Sequence, residues 1–469
     1  MPEAAFSLSA SIEIDGTPLA DELIPLLEQV VVDDYQHQPD MFVMSFRDVE
    51  RTVIEQSKVK IGSRVKIKAT ALGSPKPEEL ITGEVTAIEA EYGPGGSRAI
   101  VRGYDLSHRL HHGRRTETYR NVTDSDLANK IAQRAGIAAD RIDATSTTYE
   151  HVSQANISDW EFLAGRAREI GFEVSVEGGK LGFRKPTPSA DAPSDGDYAS
   201  TNPTQLVLGQ ELLEFTPRVS SFGQVKEVQV RGWDPIQKSA LVGTAPAAAS
   251  SAKLKATPAA LAKLMNDPVH VTVDRPLGSQ AAVDTAAKAI AEQIGSTFAE
   301  AEGLARGNPR LASGTPVSVS VVGEEFAGQY TLTQARHIFD NLGYRTRFIV
   351  SGRQERSLLG LTGGNGSNAT PGGGKPIDGV VVAIVTNIDD DKKLGRVKLK
   401  FPWLSDSYES DWARMVQLSA GPDSGAVFLP EVNDEVLVAF EFGDIRRPYV
   451  VGGLYNGKDK PRLGDGLVD

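Results

Sequence analysis

A three-strand pattern is written twice in this chain, and no other feature restricts the fold as much. "GSRVKIKA" from Gly62 is echoed by "GTPVSVSV" from Gly314, "ITGEVTAIEAEYG" around Gly83 by "FAGQYTLTQARHI" around Gly328, and "SRAIVRGYD" by "YRTRFIVSGR". Each set reads as strand, glycine-containing strand, turn, strand. Such a recurrence predicts one barrel motif built twice. The spacings agree only loosely, so two β-meanders that merely look alike remain the alternative.

The segments around the echo fit a mainly β fold with α insertions. Short alternating strands fill 1–120, the first expected barrel. Residues 121–200 read as two helices and a hairpin. Thr123 and Asp126 open the first helix, and Ser158 and Glu161 the second, each as a capping box. Val122 with Leu127, and Ile157 with Phe162, form hydrophobic staples, while Gly136 and Gly171 are the stops. Trp160 and Phe162 are expected in the core. Gly178-Gly179 turns the hairpin. Residues 201–358 hold the second barrel with helices, one of them expected from Ser279 to Glu302. A Gly/Ser/Asn-rich stretch, 359–376, reads as a flexible linker. In 377–457, about six strands suit a small OB-type barrel, with "AVFLP" among them. Val436, Val438, Phe440 and Phe442 alternate along one of these strands and are expected to fill it. Residues 458–469 read as the start of a spike or tail.

Composition narrows the chemistry. The 469 residues contain no cysteine, which excludes disulfides, thiolate metal sites and cysteine nucleophiles. A net charge of −12 lacks the basic footprint of a nucleic-acid binder. There is no 18-residue apolar run for a membrane helix, and the acidic N-terminus is not a Sec signal.

Motifs with catalytic meaning fail on context. His108, His111 and His112 lie close together, but Arg109, Arg114, Arg115 and Arg120 crowd them and would repel a cation. A basic surface or subunit-facing loop is the better reading. Ser250 to Lys253 matches S-x-x-K without partner motifs. The dinucleotide-like run from Gly364 to Ala369 has no strand before it and no helix after it. Asp389, Asp390 and Asp391 read as a hairpin turn. No catalytic, cofactor or metal residue is expected, and the chain is not expected to be an enzyme.

Several longer stretches resemble a known family. "GRVKLKFPW", "DWARMVQLSAG", "GAVFLPEVNDEVLVAFEFGD" and "RRPYVVGGLYNG" are similar to the OB domain of VgrG-type spikes and phage baseplate spikes. "YRNVTDSDLANKIAQRAG", "HVSQANISDWEFLAGRAREIGFEV" and "FAGQYTLTQARHIFDNLGYRTRFIV" are similar to the hub of VgrG and of phage late-control proteins. "PDMFVMSFRD" with "KVKIGSRVKIKA" looks most like spikes of extracellular contractile injection systems. The resemblance implies a homotrimeric hub whose six barrels match a sixfold inner tube, above a threefold neck. It implies tube, baseplate and tip or cargo partners, no nucleic acid, and contact with a target membrane only on firing. Assembly is expected in the bacterial cytoplasm, in a particle that can be released. The long β-helix usual in such spikes has no counterpart before Asp469. Trp403, Trp412, Arg447, Pro448, Arg114 and Arg115 are the expected interface or structural residues. A carbohydrate-binding or hydrolase barrel is the alternative, to be signalled by a buried carboxylate pair in a cleft.

Overall fold

The computed structural model describes residues 10–71, 76–194, 202–273, 276–353 and 377–461. The alternating segments of the first region become β1 (Ala10–Ile14), β2 (Leu27–Tyr35), β3 (Met41–Arg47), β4 (Arg64–Ala69), β5 (Glu78–Gly93) and β6 (Gly96–Asp105). They pair antiparallel in the order β2-β3-β6-β5-β4-β1. Every second side chain, including Val30, Val32, Phe42, Met44, Val65, Ile67 and Val101, enters one core.

The second region repeats this plan with β7 (Leu212–Val219), β8 (Ala299–Arg306), β9 (Pro316–Ser320), β10 (Gly328–Thr331), β11 (Gln334–Asp340) and β12 (Gly343–Val350). The order β7-β8-β12-β11 matches β2-β3-β6-β5. The likeness extends to single residues. A register shift falls between Leu27 and Gln29 on β2, and between Leu212 and Glu214 on β7. Val101 lies opposite Met44, as Phe348 lies opposite Gly303. Gly62 N donates to Val85 O at 2.8 Å, and Val85 N to Ser63 O at 2.9 Å. Gly314 N donates to Leu332 O at 2.8 Å, and Leu332 N to Thr315 O at 2.9 Å. Both glycines have positive φ, 86° and 74°. Val85 therefore corresponds to Leu332, and Gly83 to Tyr330. The letter match had aligned Gly83 with Gly328, two residues away, a slip that keeps every side chain on its face and so leaves no trace in the pattern.

The two units are not separate. Strand β11 pairs with β2 from Gln334↔Tyr35 to Phe339↔Val30, so both share one eleven-stranded sheet. Between β7 and β8 the second unit carries an inserted sheet, Glu227–Asp234, Ser239–Pro246 and Val269–Thr272. Helix Gln280–Gly295 covers it with Val283, Ala287 and Ile290. That helix stops well before Glu302. Ala299, Ala301, Gly303 and Ala305 alternate inward as β8, a strand made of residues that favour helices or turns.

In the 121–200 region, α1 (Asp124–Ala135) and α2 (Asp159–Ile170) carry both expected capping boxes and end at left-handed Gly136 and Gly171. Val122, Leu127, Ile157, Trp160 and Phe162 share one core. The terminal module has β13 (Val380–Asn387), β14 (Lys398–Lys400), β15 (Arg414–Met415), β16 (Glu435–Phe440) and β17 (Pro448–Gly453), in the order β14-β13-β16-β17-β15. Val397 and Ala413 exchange backbone hydrogen bonds of 3.0 and 2.7 Å, which closes the barrel. Val436, Val438 and Phe440 fill it with Phe401 and Tyr408. Phe442 does not. The strand ends at Phe440, and a 3-10 turn with φ 52° at Phe442 leaves that ring exposed. "AVFLP" forms no strand, and Val427 and Phe428 face solvent. The linker and the glycine run at 364–369 lie outside the described residues.

Candidate functional site

The histidine–arginine segment begins as a 3-10 turn, Leu106–His111, at the end of β6. The apolar Leu106 and Leu110 anchor it, which brings its basic side chains back onto β5. There Glu84 accepts from Arg109 and lies 3.0 Å from His108 Nε2. His111 stacks on Trp160 at 5.1 Å, and burial pushes its pKa down to about 4. An uncharged, stacked histidine does packing work. Arg114 donates to Asn156 O at 3.1 Å, and Arg115 approaches Asp159 at 3.6 Å. The segment joins the first unit to the helical region, while His112, Arg114 and Arg115 remain exposed. The spacing of the letters could not show Glu84, which arrives from another strand.

A second charged junction holds the OB module. Its centre is a chain of alternating signs, Asp124, Arg166, Glu169, Arg446 and Asp444. Arg166 Nε donates to Asp124 at 2.7 Å and Nη1 to Glu169. Arg446 donates to the same Glu169 at 3.3 Å and to Asp444 at 2.9 Å. Asp124, Arg166 and Asp444 are almost fully buried. Such ions are tolerable only because each is paired and hydrogen-bonded. Beside them, Glu409 takes Arg120, His151 Nε2 lies 3.0 Å from Glu409 O, and Ser153 and Tyr408 hydroxyls meet at 3.0 Å. Sequence reasoning missed Glu169, Glu409 and Arg446, because their partners lie far away in the chain.

The remaining expected residues scatter. Trp403 Nε1 donates to Val382 O at 3.0 Å with half its surface exposed. Trp412 lies under Arg396 and Lys398. A Cβ on Gly278 would come within 2.8 Å of Arg447 Nη2, so this guanidinium packs on the inserted helix's approach loop. Pro448 starts β17 and is buried, which removes it from the loop position expected of it. Asp390 receives Arg396 and the amides of Leu394 and Lys392, which hold it well below the usual carboxylate range.

Acidic groups do gather at one place, with Asp105 buried and Asp34 and Asp40 half-buried. Burial raises Asp34 to about 6, Asp105 to about 7 and Asp40 well above the ordinary value, with repulsion from Glu177 and Asp33 adding at Asp34, from Asp34 and Asp105 at Asp40, and from Asp34 at Asp105. Each has a fixed donor: Ser313 for Asp34, the Tyr35 amide for Asp40, and Ser107 for Asp105. None lines the 410 Å³ cavity between α2, the hairpin and the inserted helix. The two carboxylates that do, Glu173 and Glu292, are engaged by Arg184 and Gln36, and by Ser250 and Arg353. Both carboxylates of this cavity are thus held by protein donors.

The chain resembles known proteins in sequence and in fold. Residues 47–341 match the family model described as the Alg8 N-terminal domain, more than half of the chain. Residues 381–455 match the type VI secretion system/phage-baseplate injector OB domain. The type VI secretion system spike protein VgrG2a of Pseudomonas aeruginosa is 33% identical over 93 residues, 18% of this chain and 11% of that protein. VgrG3 of Vibrio cholerae is 34% identical over 88 residues, 17% of this chain and 9% of that protein. The chain thus spans about a tenth of these relatives' length. Among solved structures, an E. coli component of the type VI secretion system, described as similar to T4 tail proteins gp27 and gp5, superposes with a TM-score of 0.54. It is 16% identical, over 94% of this chain and 99% of that one. The 43 kDa tail protein of prophage MuSo2 from Shewanella oneidensis gives 0.54 at 12% identity, over 73% and 97%. At these identities, the two superpositions speak for the fold.

Proposed function

Because the chain belongs to the Alg8 N-terminal domain family and is a VgrG-like spike protein of a contractile injection system, we propose that it works as a homotrimeric hub. In this role three copies present six β-units to a sixfold inner tube, and three OB barrels narrow the assembly to a threefold neck. The observation that carries the reading is the residue-by-residue register shared by the two β-units, since a unit used twice per chain converts three chains into six equivalent positions. The charged junction through Glu169 and Arg446 holds the OB barrel against the hub. The partners are the tube, the baseplate and a tip protein or cargo. The role needs no catalytic group, and a target membrane is met only on firing. Assembly takes place in the bacterial cytoplasm. Labelling the chain in purified particles tests this: the label belongs at one end of the tube, and label along the sheath or absent from particles would overturn it.

A further inference from the structure

Inside one chain, β2 and β11 are joined edge to edge, and the equivalent edges of the duplicated unit are both open among the described residues. The equivalents follow from the shared register: β7 corresponds to β2, and the Ile88–Tyr92 stretch of β5 to β11. Among the described residues, the Phe215–Val219 part of β7 pairs only with β8, the Leu208 bridge being confined to Leu212, and this part of β5 pairs only with β6. We propose that β7 of one copy pairs antiparallel with β5 of the next copy, in the register that β2 and β11 keep within the chain. This rests on the trimeric reading and adds to it the joint that would close the ring.

Transferring the internal pairs gives the contacts. Val30↔Phe339 becomes Phe215 opposite Tyr92, Asp33↔Arg336 becomes Arg218 opposite Glu89, and Asp34↔Ala335 becomes Val219 opposite Ile88. Three observations favour them. First, Val30, Val32, Ala335, His337 and Phe339 are buried at the internal joint, whereas their counterparts are not: Tyr92 is 66% exposed, Ala90 is exposed, and Ile88, Phe215 and Pro217 are half-buried. These are core-type positions with only partial cover. Second, the internal joint carries an Arg336–Asp33 ion pair across the strands. The proposed joint sets Glu89 against Arg218, the same rung with signs reversed; Glu89 also meets Arg102 at 2.8 Å and Arg218 approaches Glu300 at 3.9 Å, yet both reach solvent, 46% and 70% exposed. Third, the backbone faces the right way. Ser220 N donates to Phe298 on the β8 side, so Phe215 and Val219 turn their amides and carbonyls to the open edge. Pro217 supplies a carbonyl there but no donor, so one ladder bond is missing. A proline on an edge also discourages indiscriminate pairing. Each copy offers two different edges, so the contact is head-to-tail and closes into a ring.

The cysteine-free chain makes the test simple. The Glu89/Arg218 rung is a non-hydrogen-bonded antiparallel pair, with Cα atoms about 4.5 Å apart, within disulfide reach. The full-length variant carrying Glu89→Cys and Arg218→Cys is oxidised, both concentrated and in assembled particles. Covalent dimers and trimers, nothing larger, and loss of both on reduction are expected. A mismatched pair, Glu91→Cys with Arg218→Cys, sets the background, and an unchanged melting temperature in reductant verifies folding. Trimers by native mass with no disulfide above background would overturn this joint while leaving the trimer standing. No trimer in solution or in particles would overturn the trimeric reading and the joint together. Independently, Glu89→Arg should weaken trimer formation about two- to fivefold per joint, and Arg218→Glu added to it should restore association. Failure of that rescue would also count against the register.

Discussion

The first and second β-units share a register and differ in how their edges are covered. At the β2–β11 joint, Val30, Val32 and Phe339 are sealed and Arg336 caps the rung on Asp33. At the counterpart edges, Phe215 and Tyr92 lack such cover. The units also solve close strand packing in opposite ways. In the first, Phe42 on β3 lies over Gly103 on β6, where a Cβ would sit 2.4 Å from the ring. In the second, the aromatic is on β12 and the glycine on β8, with Phe348 2.2 Å from a Cβ built on Gly303. The backbone plan is thus kept while the side chains that fill it are exchanged between strands. A weak letter echo is the natural result.

The comparison can be broken most forcefully at those aromatics. Phe348→Ala and Phe42→Ala should each cost about 3–5 kcal/mol, seen as a large drop in melting temperature or a loss of soluble protein. A large cost in one unit and none in the other would mean that the two sheets are not packed alike.

The pH response should separate the units next. Asp34, Asp40 and Asp105 have raised pKa values in the folded chain. Between pH 4 and 7 the folded state therefore keeps protons that the unfolded chain, near 3.9, has released. Their contribution is largest below about pH 4 and declines as pH rises to about 7. The counterparts of Asp34 and Asp105 in the second unit are Val219 and Gly352, which do not titrate. Asp105→Asn should therefore stabilise the protein near pH 7 and flatten the decline. An unchanged pH–stability profile would remove the cluster from the account.

The smallest effect is the most discriminating. Arg336→Ala leaves buried Asp33 without its partner and should lower the stability of a single chain by about 1–2 kcal/mol, the guanidinium being partly exposed. Arg218→Ala, which removes the arginine of the open-edge rung, should leave that stability unchanged and raise the concentration needed for association. Equal effects on the melting temperature would erase the distinction between internal and open joints.

Much of this was legible in the letters. Thr123/Asp126 and Ser158/Glu161 marked both helices because capping is local. Val436, Val438 and Phe440 marked the OB core because strand alternation is local too. The reading failed where local signals ended. Phe442 continued the alternation past the point where the backbone reverses, and β8 was hidden in alanine and glutamate. The Glu84, Glu169 and Glu409 junctions join residues far apart in sequence, and no periodicity reports such a pairing.

Counting copies at the end of the tube in images of intact particles reconstructed without imposed symmetry tests the central claim most directly. The account predicts three chains carrying six β-units in one ring, each unit facing one tube subunit, with three OB barrels beneath. Six chains, or one, or a ring in which the two β-units of a chain do not occupy equivalent positions, would contradict it.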